Sequence, residues 1–444
     1  MTPDVVTLPE HFGRRGYDTF FYGKVFHHGD RDPQSWNRQK WAESLARGDK
    51  PGAKGGFAIP ENQRSKADTL KEMLAKYGEV ARLGLAMGAA YEAGDVPDNF
   101  YGDGFSAELA TRALEELGQD REKPFFLALG FNKPHLNWVA PKRYWDLYER
   151  DEIPLARYPN APQDGATVGL HPSFELRVRG GIPKLGPIPE DLQRTLMHAY
   201  LACVSYVDAQ IGRVLATLEA TGLAENTIVI VWSDHGYHLG DMGLWGKATN
   251  YELGTRVPLI VDMPDLPKAS RGKQTDALVE LIDMYPTLCD LAGIDTPTHV
   301  EGVSFGPVLA DPERRWKEAA FSQFPSPALR EWGAFPIRPA MRETYFGPLL
   351  AEVEDRIKKQ MPEAWDRDMF ENDLMGYSVR TERYRLTLWR NSTDQNSEPV
   401  FVELFDHQVD PEETQNLAAR HLQLVQELSR RYTGKWRTGV QPPR

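Results

Sequence analysis

The chain has 444 residues, 41% apolar and 26% charged, with a net charge of −12. That length suits about two or three domains, and the balance is that of an ordinary globular protein. The acidic charge argues against a general nucleic-acid binder, which needs a basic footprint, but leaves room for a local basic pocket that takes a small anion.

In chain order, TLPEHFGRRGY (7–17) reads as the end of a helix turning into a strand, DTFFYGKVFHH. GFSAELATRALEELG (104–118) has helical periodicity, and PFFLALGF (124–131) is a short apolar run between breakers, hence a buried strand. Residues 189–220 form one long helical stretch with a proline near its start. NTIVIVWS (226–233) and VPLIVDM (257–263) read as strands, and ALVELIDMYPTLCDLAG (277–293) as a helix ending in glycine. Buried strands alternating with helices predict an α/β fold with a parallel sheet covered on both faces.

After about residue 310 the texture changes. AAFSQF, MGYSVRTERYRLTLWR and EPVFVELFDHQ are closely spaced strand-like segments. YSVRTERYRLTLW alternates with period two, as in a half-exposed antiparallel strand. Residues 340–372 are charged and read as helical, either an insertion near a site or a surface helix, and LAARHLQLVQELSRRYTGKW is a closing helix. The expected division is an α/β domain over 1–314 and a smaller α+β subdomain with an antiparallel sheet over 315–444.

Cys203 and Cys289 lie in apolar, helix-like settings and read as buried inert thiols. No run of about 18 apolar residues predicts a membrane-spanning helix. The N-terminus has no signal-peptide apolar region, so no export signal is expected in the chain as written.

The stretch WSDHGYHLGDMGLWGK (232–247) drives an apolar strand into Asp234, His235 and a glycine-rich loop. Ligands bind beyond the carboxyl ends of strands in open α/β sheets. A carboxylate beside an imidazole there can hold a divalent cation or do acid–base work. Alone, the pair reads first as a strand-end Asp that caps the next turn, with a partly exposed His; the surrounding pattern changes that.

SDHG (233–236), GLWGK (243–247) and RVPLI (256–260), in that order, resemble the sulfatase family of the alkaline-phosphatase superfamily, within it the iduronate-2-sulfatase-like group. GYDTFFYGKVFH (16–27), KPFFLALGFNKPHLNWVAPKRYWDLY (123–148), HPSFELRVRGGIPKLGPI, AYLACVSYVDAQIGRVL and ELFDHQVDPEETQNLA extend the resemblance over nearly the whole chain, most weakly at about 327–373. It implies an alkaline-phosphatase-like sandwich with a large, mostly parallel central sheet. It also implies hydrolysis of a sulfate monoester on a sulfated sugar, such as a uronate 2-sulfate in a polysaccharide.

Carried over by residue, the resemblance makes Asp234 and His235 ligands of one divalent cation, Ca²⁺ in the family. Lys247 becomes a binder of sulfate oxygens, Lys24 and His27 neighbours of the nucleophile, and His135 a sulfate contact that serves the leaving oxygen as acid. The chemistry suits the residue types: lysines are point charges for a tetrahedral oxyanion, and histidines exchange protons near neutral pH. His28 and His238 read as structural or substrate-facing, and Tyr237 as a possible pocket residue. Met242, after Asp241, departs from a family histidine. Arg380, Arg383 and Arg385 are candidates by composition for a uronate carboxylate; exposed arginines on an antiparallel strand are the plainer account.

The family nucleophile is a formylglycine made in C-x-P-S-R, and no such motif occurs in this sequence. The family's strand ending in Asp-Asp, which gives the other metal ligands, and its nucleophile segment lie upstream of where the resemblance begins. The expectation is therefore a sulfatase lacking its N-terminal part, at least a βαβ-sized piece on the order of 30 residues, that binds Ca²⁺ poorly and turns over nothing by the standard route. The family implies a periplasmic, secreted or lysosome-like setting. The alternatives are a phosphatase or phosphodiesterase of the same superfamily, or a non-catalytic sulfated-glycan-binding remnant.

Overall fold

The computed structural model of the protein describes residues 5–26, 32–38, 56–120, 122–330, 339–394 and 397–435. In the first part of the chain the strands are β1 (Asp18–Gly23), β2 (Tyr91–Gly94), β3 (Phe125–Gly130), β4 (Trp138–Pro141), β5 (Val229–Trp232), β6 (His238–Leu239), β7 (Trp245–Gly246) and β8 (Leu259–Asp262). β1 pairs in parallel with β3, and β2 in parallel with β4. β5 and β8, both expected in a parallel sheet, pair with each other antiparallel, Val231 opposite Ile260.

The helices fall where their apolar periodicity places them. Helix Gly102–Gln119 buries Phe105, Leu109, Ala113, Leu114 and Leu117 against Phe20 and Tyr22 of β1. Helix Glu190–Ala220 buries Leu196, Ala199, Ala202, Cys203 and Tyr206 against Trp138, Val139 and Ala140 of β4. By length and composition alone this last helix is apolar enough to cross a bilayer. Of its most apolar 18-residue window, 28% is buried in the protein. The two helices are tied by Tyr206, whose hydroxyl donates to the Asp98 carbonyl (2.8 Å) and accepts from the Gly104 N–H (2.7 Å).

The helix expected over 277–293 is shorter, Met284–Leu291. Glu280 and Asp283 form a capping box, and Asp283 also takes the buried Lys317 ammonium at 2.7 Å. Those side chains commit the preceding residues to a non-helical path.

The later sheet is antiparallel, in the order β12-β11-β10-β9, from β9 (Ala319–Pro325), β10 (Leu374–Thr381), β11 (Tyr384–Asn391) and β12 (Phe401–Asp406). The stretch 377–389, expected as a half-exposed strand, is a hairpin of two largely buried strands. The alternation is real, but both faces are covered. Val379, Leu386, Leu388 and Leu404 pack on the closing helix Leu422–Tyr432 through Leu428 and Tyr432. Ser378, Arg385, Thr387, Trp389, Glu403 and Phe405 face the α/β body, where Tyr251 donates to Glu403 at 2.8 Å. Helix Gly347–Gln360 is no surface helix: Leu349, Leu350, Val353 and Ile357 share a cluster with Val168, Phe174 and Trp389.

Candidate functional site

The site is assembled from the ends of β1, β3 and β5 and from the β6–β7 hairpin. At the end of β1, Gly23 adopts φ +72°, and a side chain on it would stand 2.0 Å from the Gly130 carbonyl. Without Cβ atoms at Gly23 and Gly130 the two strand ends close up, and the Lys24 N–H bonds the Gly130 carbonyl at 2.7 Å. After β3, the buried Asp103 accepts from the N–H groups of Asn132 and Lys133, each at 2.8 Å. The half-buried Lys133 donates to the carbonyls of His135 (2.8 Å) and Asn137 (2.6 Å). Burial pulls its pKa below the ordinary lysine value. The loop that carries His135 is thus clamped from inside.

In the hairpin, His238 pairs with Gly246 and Leu239 with Trp245. A Cβ at Gly246 would lie 2.6 Å from the His171 ring. Ser173, at φ +59°, accepts from the Trp245 N–H at 2.9 Å. These contacts stitch 171–175 to 245–247 and bring Glu175 beside Lys247. Asp241 accepts from the Tyr158 N–H (3.2 Å), and Met242 is buried with Leu170, Leu244, Tyr251 and Phe405. The departure at Met242 therefore fills a core position.

Glu175 joins the two sides. Its Oε1 lies 3.0 Å from His135 Nε2 and its Oε2 3.4 Å from Lys247 Nζ. Burial alone would raise this carboxyl. The His135 hydrogen bond and the charges of Lys247, His135 and Arg179 outweigh burial and hold it well below the usual carboxylate range. The other basic side chains of the segment are spent on carbonyls: Arg177 on Pro172, Pro183 and Gly186, Arg179 on Glu175, and Lys184 on Arg177 and Arg179.

Beyond β5, His235 bonds the Gly236 carbonyl through Nδ1 at 2.8 Å, and its Nε2 stands 3.6 Å from Asp234 Oδ1. The Gly236 N–H bonds the Gly254 carbonyl at 2.9 Å, which fixes the turn. Burial lowers the His235 pKa. The Gly236 carbonyl and Asp234 oppose that shift, and the charges of Lys247 and Lys24 add to it. A neutral imidazole with Nδ1 engaged leaves Nε2 as the ligand atom beside an exposed carboxylate. A carboxylate oxygen and an imidazole nitrogen together make part of a divalent-cation shell. The structure thus sets Asp234 beside His235, lets the charges of Lys247 and Lys24 act on His235, and joins His135 to Lys247 through Glu175. His27 and His28 lie outside the described residues.

A family model described as sulfatase matches residues 2–294. The chain belongs to the sulfatase family. This sulfatase is 32% identical over 420 residues to human iduronate 2-sulfatase and 30% identical over 438 residues to the mouse protein. In each case the alignment covers 86% of this chain and 70% of the relative. Among solved structures it is similar to a phosphonate monoester hydrolase from Silicibacter pomeroyi, with TM-score 0.65, 21% identity, 98% of this chain and 80% of that chain covered. At that identity the likeness is one of fold. The family's reaction is the hydrolysis of sulfuric esters, and the sulfatase is a sulfuric ester hydrolase by family.

The sulfatase holds a second acid–imidazole cluster. Glu252, His407 and Glu413 place ligand atoms within 4.8 Å of one another, a spacing that can hold a metal ion. Arg385 already lies among them, Nε 2.5 Å from Glu413 and Nη2 2.5 Å from Glu252. Its guanidinium supplies the positive charge a cation would bring. The view of 380–385 as exposed arginines is thereby corrected: Arg385 is buried, and Arg380 meets Glu252 at 3.2 Å. Arg383 is the exposed one, gripping Asp406 with two nitrogens.

His238 is wholly buried and bonds Thr249 at 2.9 Å, which gives it a structural place. Tyr237 stacks in an aromatic group with Trp138 and Tyr200. The sequence does not single out Glu175, although HPSFELRVRGGIPKLGPI carries part of the family resemblance. The acid in that segment was the available signal. Nothing in its spacing ties it to a lysine 72 positions downstream.

Proposed function

We propose that this chain forms the sulfate-gripping side of a sulfatase site for a sulfated sugar, a uronate 2-sulfate being the favoured substrate. The observation that carries the reading is the meeting of His135 and Lys247 on one carboxylate, with the Lys247 charge acting on His235. Two separate family motifs supply those side chains at one place. Lys247 and Lys24 would balance the charge of the sulfate oxygens, and His135 would protonate the leaving oxygen. His27 keeps its sequence-based assignment beside the nucleophile.

Asp234 and His235 would hold Ca²⁺ as part of its shell, and a bound cation would polarise the ester. The uronate 2-sulfate preference leans on the similarity to iduronate 2-sulfatases. In this reading residues 1–314 carry the site, and 315–444 form a subdomain that braces it.

Neither cysteine is offered as a nucleophile. Cys203 is fully buried in helix Glu190–Ala220, and burial pushes its thiol up to about 12. With no C-x-P-S-R in the sequence, the reading is of sulfate-ester binding without standard turnover by these 444 residues.

Calorimetric titration of the protein with a 2-sulfated uronate disaccharide, its desulfated form and inorganic phosphate tests this. The sulfated sugar is expected to bind, with binding lost in Lys247→Ala, and aryl sulfate hydrolysis is expected to be absent. Equal binding of the sulfated and desulfated sugars would overturn sulfate recognition. A preference for phosphate would favour the phosphoryl-transfer alternative, and robust metal-dependent aryl sulfate turnover would sink the claim of inactivity.

A further inference from the structure

We propose that Glu175 is a positioning residue, which keeps both ring nitrogens of His135 protonated and aims Lys247, so that the anion-gripping side is assembled before an anion arrives. This rests on the reading that His135 and Lys247 meet the sulfate group.

The protonation follows from the partners. His135 Nδ1 lies 2.5 Å from the Leu136 carbonyl oxygen, and Nε2 lies 3.0 Å from Glu175 Oε1. A carbonyl and an ionised carboxylate only accept. A neutral imidazole has one donor and would leave one of these contacts as lone pair against lone pair, whereas the imidazolium has two. The ionised state of Glu175 has support apart from the histidine, in Lys247 Nζ 3.4 Å from its Oε2 and in the charge of Arg179.

Glu175 is also held from behind, as a positioning group must be. Its carbonyl accepts from Arg179 at 2.6 Å. The preceding Phe174 meets Phe346 edge-on at 4.8 Å, and helix Gly347–Gln360 packs in the same cluster. The carboxylate is 15% exposed, so its orientation is set by the fold rather than by solvent. Its two oxygens face different cations, one each, which fixes their relative placement.

The sign of one substitution separates positioning from simple repulsion. A carboxylate near an anion site repels the anion, so removing that charge alone would tighten sulfate binding. If Glu175 instead keeps the His135 proton and restrains Lys247, its removal weakens binding. The experiment uses the full chain with isotopically labelled histidine, nitrogen NMR near neutral pH, and titration with inorganic sulfate. The His135 signals are assigned by their loss in His135→Asn.

The wild type is expected to show both His135 nitrogens protonated. Glu175→Gln should move them to the neutral-ring pattern and weaken sulfate binding about three- to tenfold. Glu175→Asp, which keeps the charge, should retain the wild-type pattern. Tighter sulfate binding by Glu175→Gln, or His135 signals unchanged in it, would overturn the proposal. Should Glu175→Gln not fold, the wild type decides, because a singly protonated His135 overturns the claim and a doubly protonated one upholds it. If the wild type binds no sulfate, the functional reading fails, while the nitrogen signals still judge Glu175.

Discussion

Two clusters among the described residues, one around Glu175 and one around Glu413, each join carboxylate, imidazole and a basic side chain, and they differ in what surrounds them. Around Glu175, His135 and Lys247 each remain 23% exposed. Around Glu413, the Arg385, His407 and Glu413 side chains are 2%, 5% and 0% exposed. In the sealed cluster the fork of Arg385 meets two carboxylates, and the Glu252 N–H adds a further bond to Glu413 at 2.8 Å. The charges there are balanced and satisfied, and they tie helix Glu252–Thr255 to the C-terminal sheet. In the open cluster a single carboxylate faces the Lys247 ammonium and the His135 imidazole, both of which stay accessible to an arriving anion. The same residue types therefore make a fastening in one place and a candidate site in the other, and access and charge balance are what separate them.

The largest expected effect lies in the sealed cluster. Arg385→Met strands Glu413 without its main counter-charge, and a buried ion pair broken on one side typically loses about 3–5 kcal/mol. Chemical denaturation of the variant checks this, and a loss below about 1 kcal/mol would break the contrast between fastening and site.

An intermediate effect is expected from His238, between β6 and Thr249. Burial lowers its pKa to about 4, against a weaker opposing pull from the Asp241 backbone and the Glu413 charge. A depressed folded-state value means that the unfolded chain binds the proton first. Its stabilising share is thus present above the unfolded histidine value of about 6.5 and is lost as pH falls toward about 4. Denaturation midpoints measured across that window should fall with acidity in the wild type and fall less in His238→Gln; parallel curves would refute this.

The smallest effect on stability is expected at the open cluster. Lys247→Met should keep the unfolding free energy within about 1 kcal/mol of the wild type, while sulfate binding is lost. A large drop in stability would make Lys247 a fastening like Arg385.

Much of the site could be read before any fold was known, because its chemistry is written locally. Asp234, His235 and Gly236 are neighbours, and a strand end followed by a glycine turn must present them beyond the sheet. Lys24 and His135 were legible only through the order of their motifs. Glu175 was not legible, since its meaning depends on Ser173 bonding the Trp245 N–H across 72 residues. The arginines of β10 and β11 were misread for a related reason. Period-two alternation reports that two faces differ, but not that the polar face is pressed against Glu252 and Glu413. The stretch 277–293 was read as a full helix because apolar spacing does not reveal that Asp283 is claimed by Lys317.

By itself, then, the sequence determined the family, the α/β class, the run of helices and strands, and the residue types that face an anion and a cation. Those follow from periodicity and short motifs, which act over a few residues. Only the tertiary structure decided which charged groups are neutralised inside the protein and which remain to meet a ligand. Charge balance and burial are set by neighbours distant in the chain: Glu175 for Lys247 and His135, and Glu413 and Glu252 for Arg385.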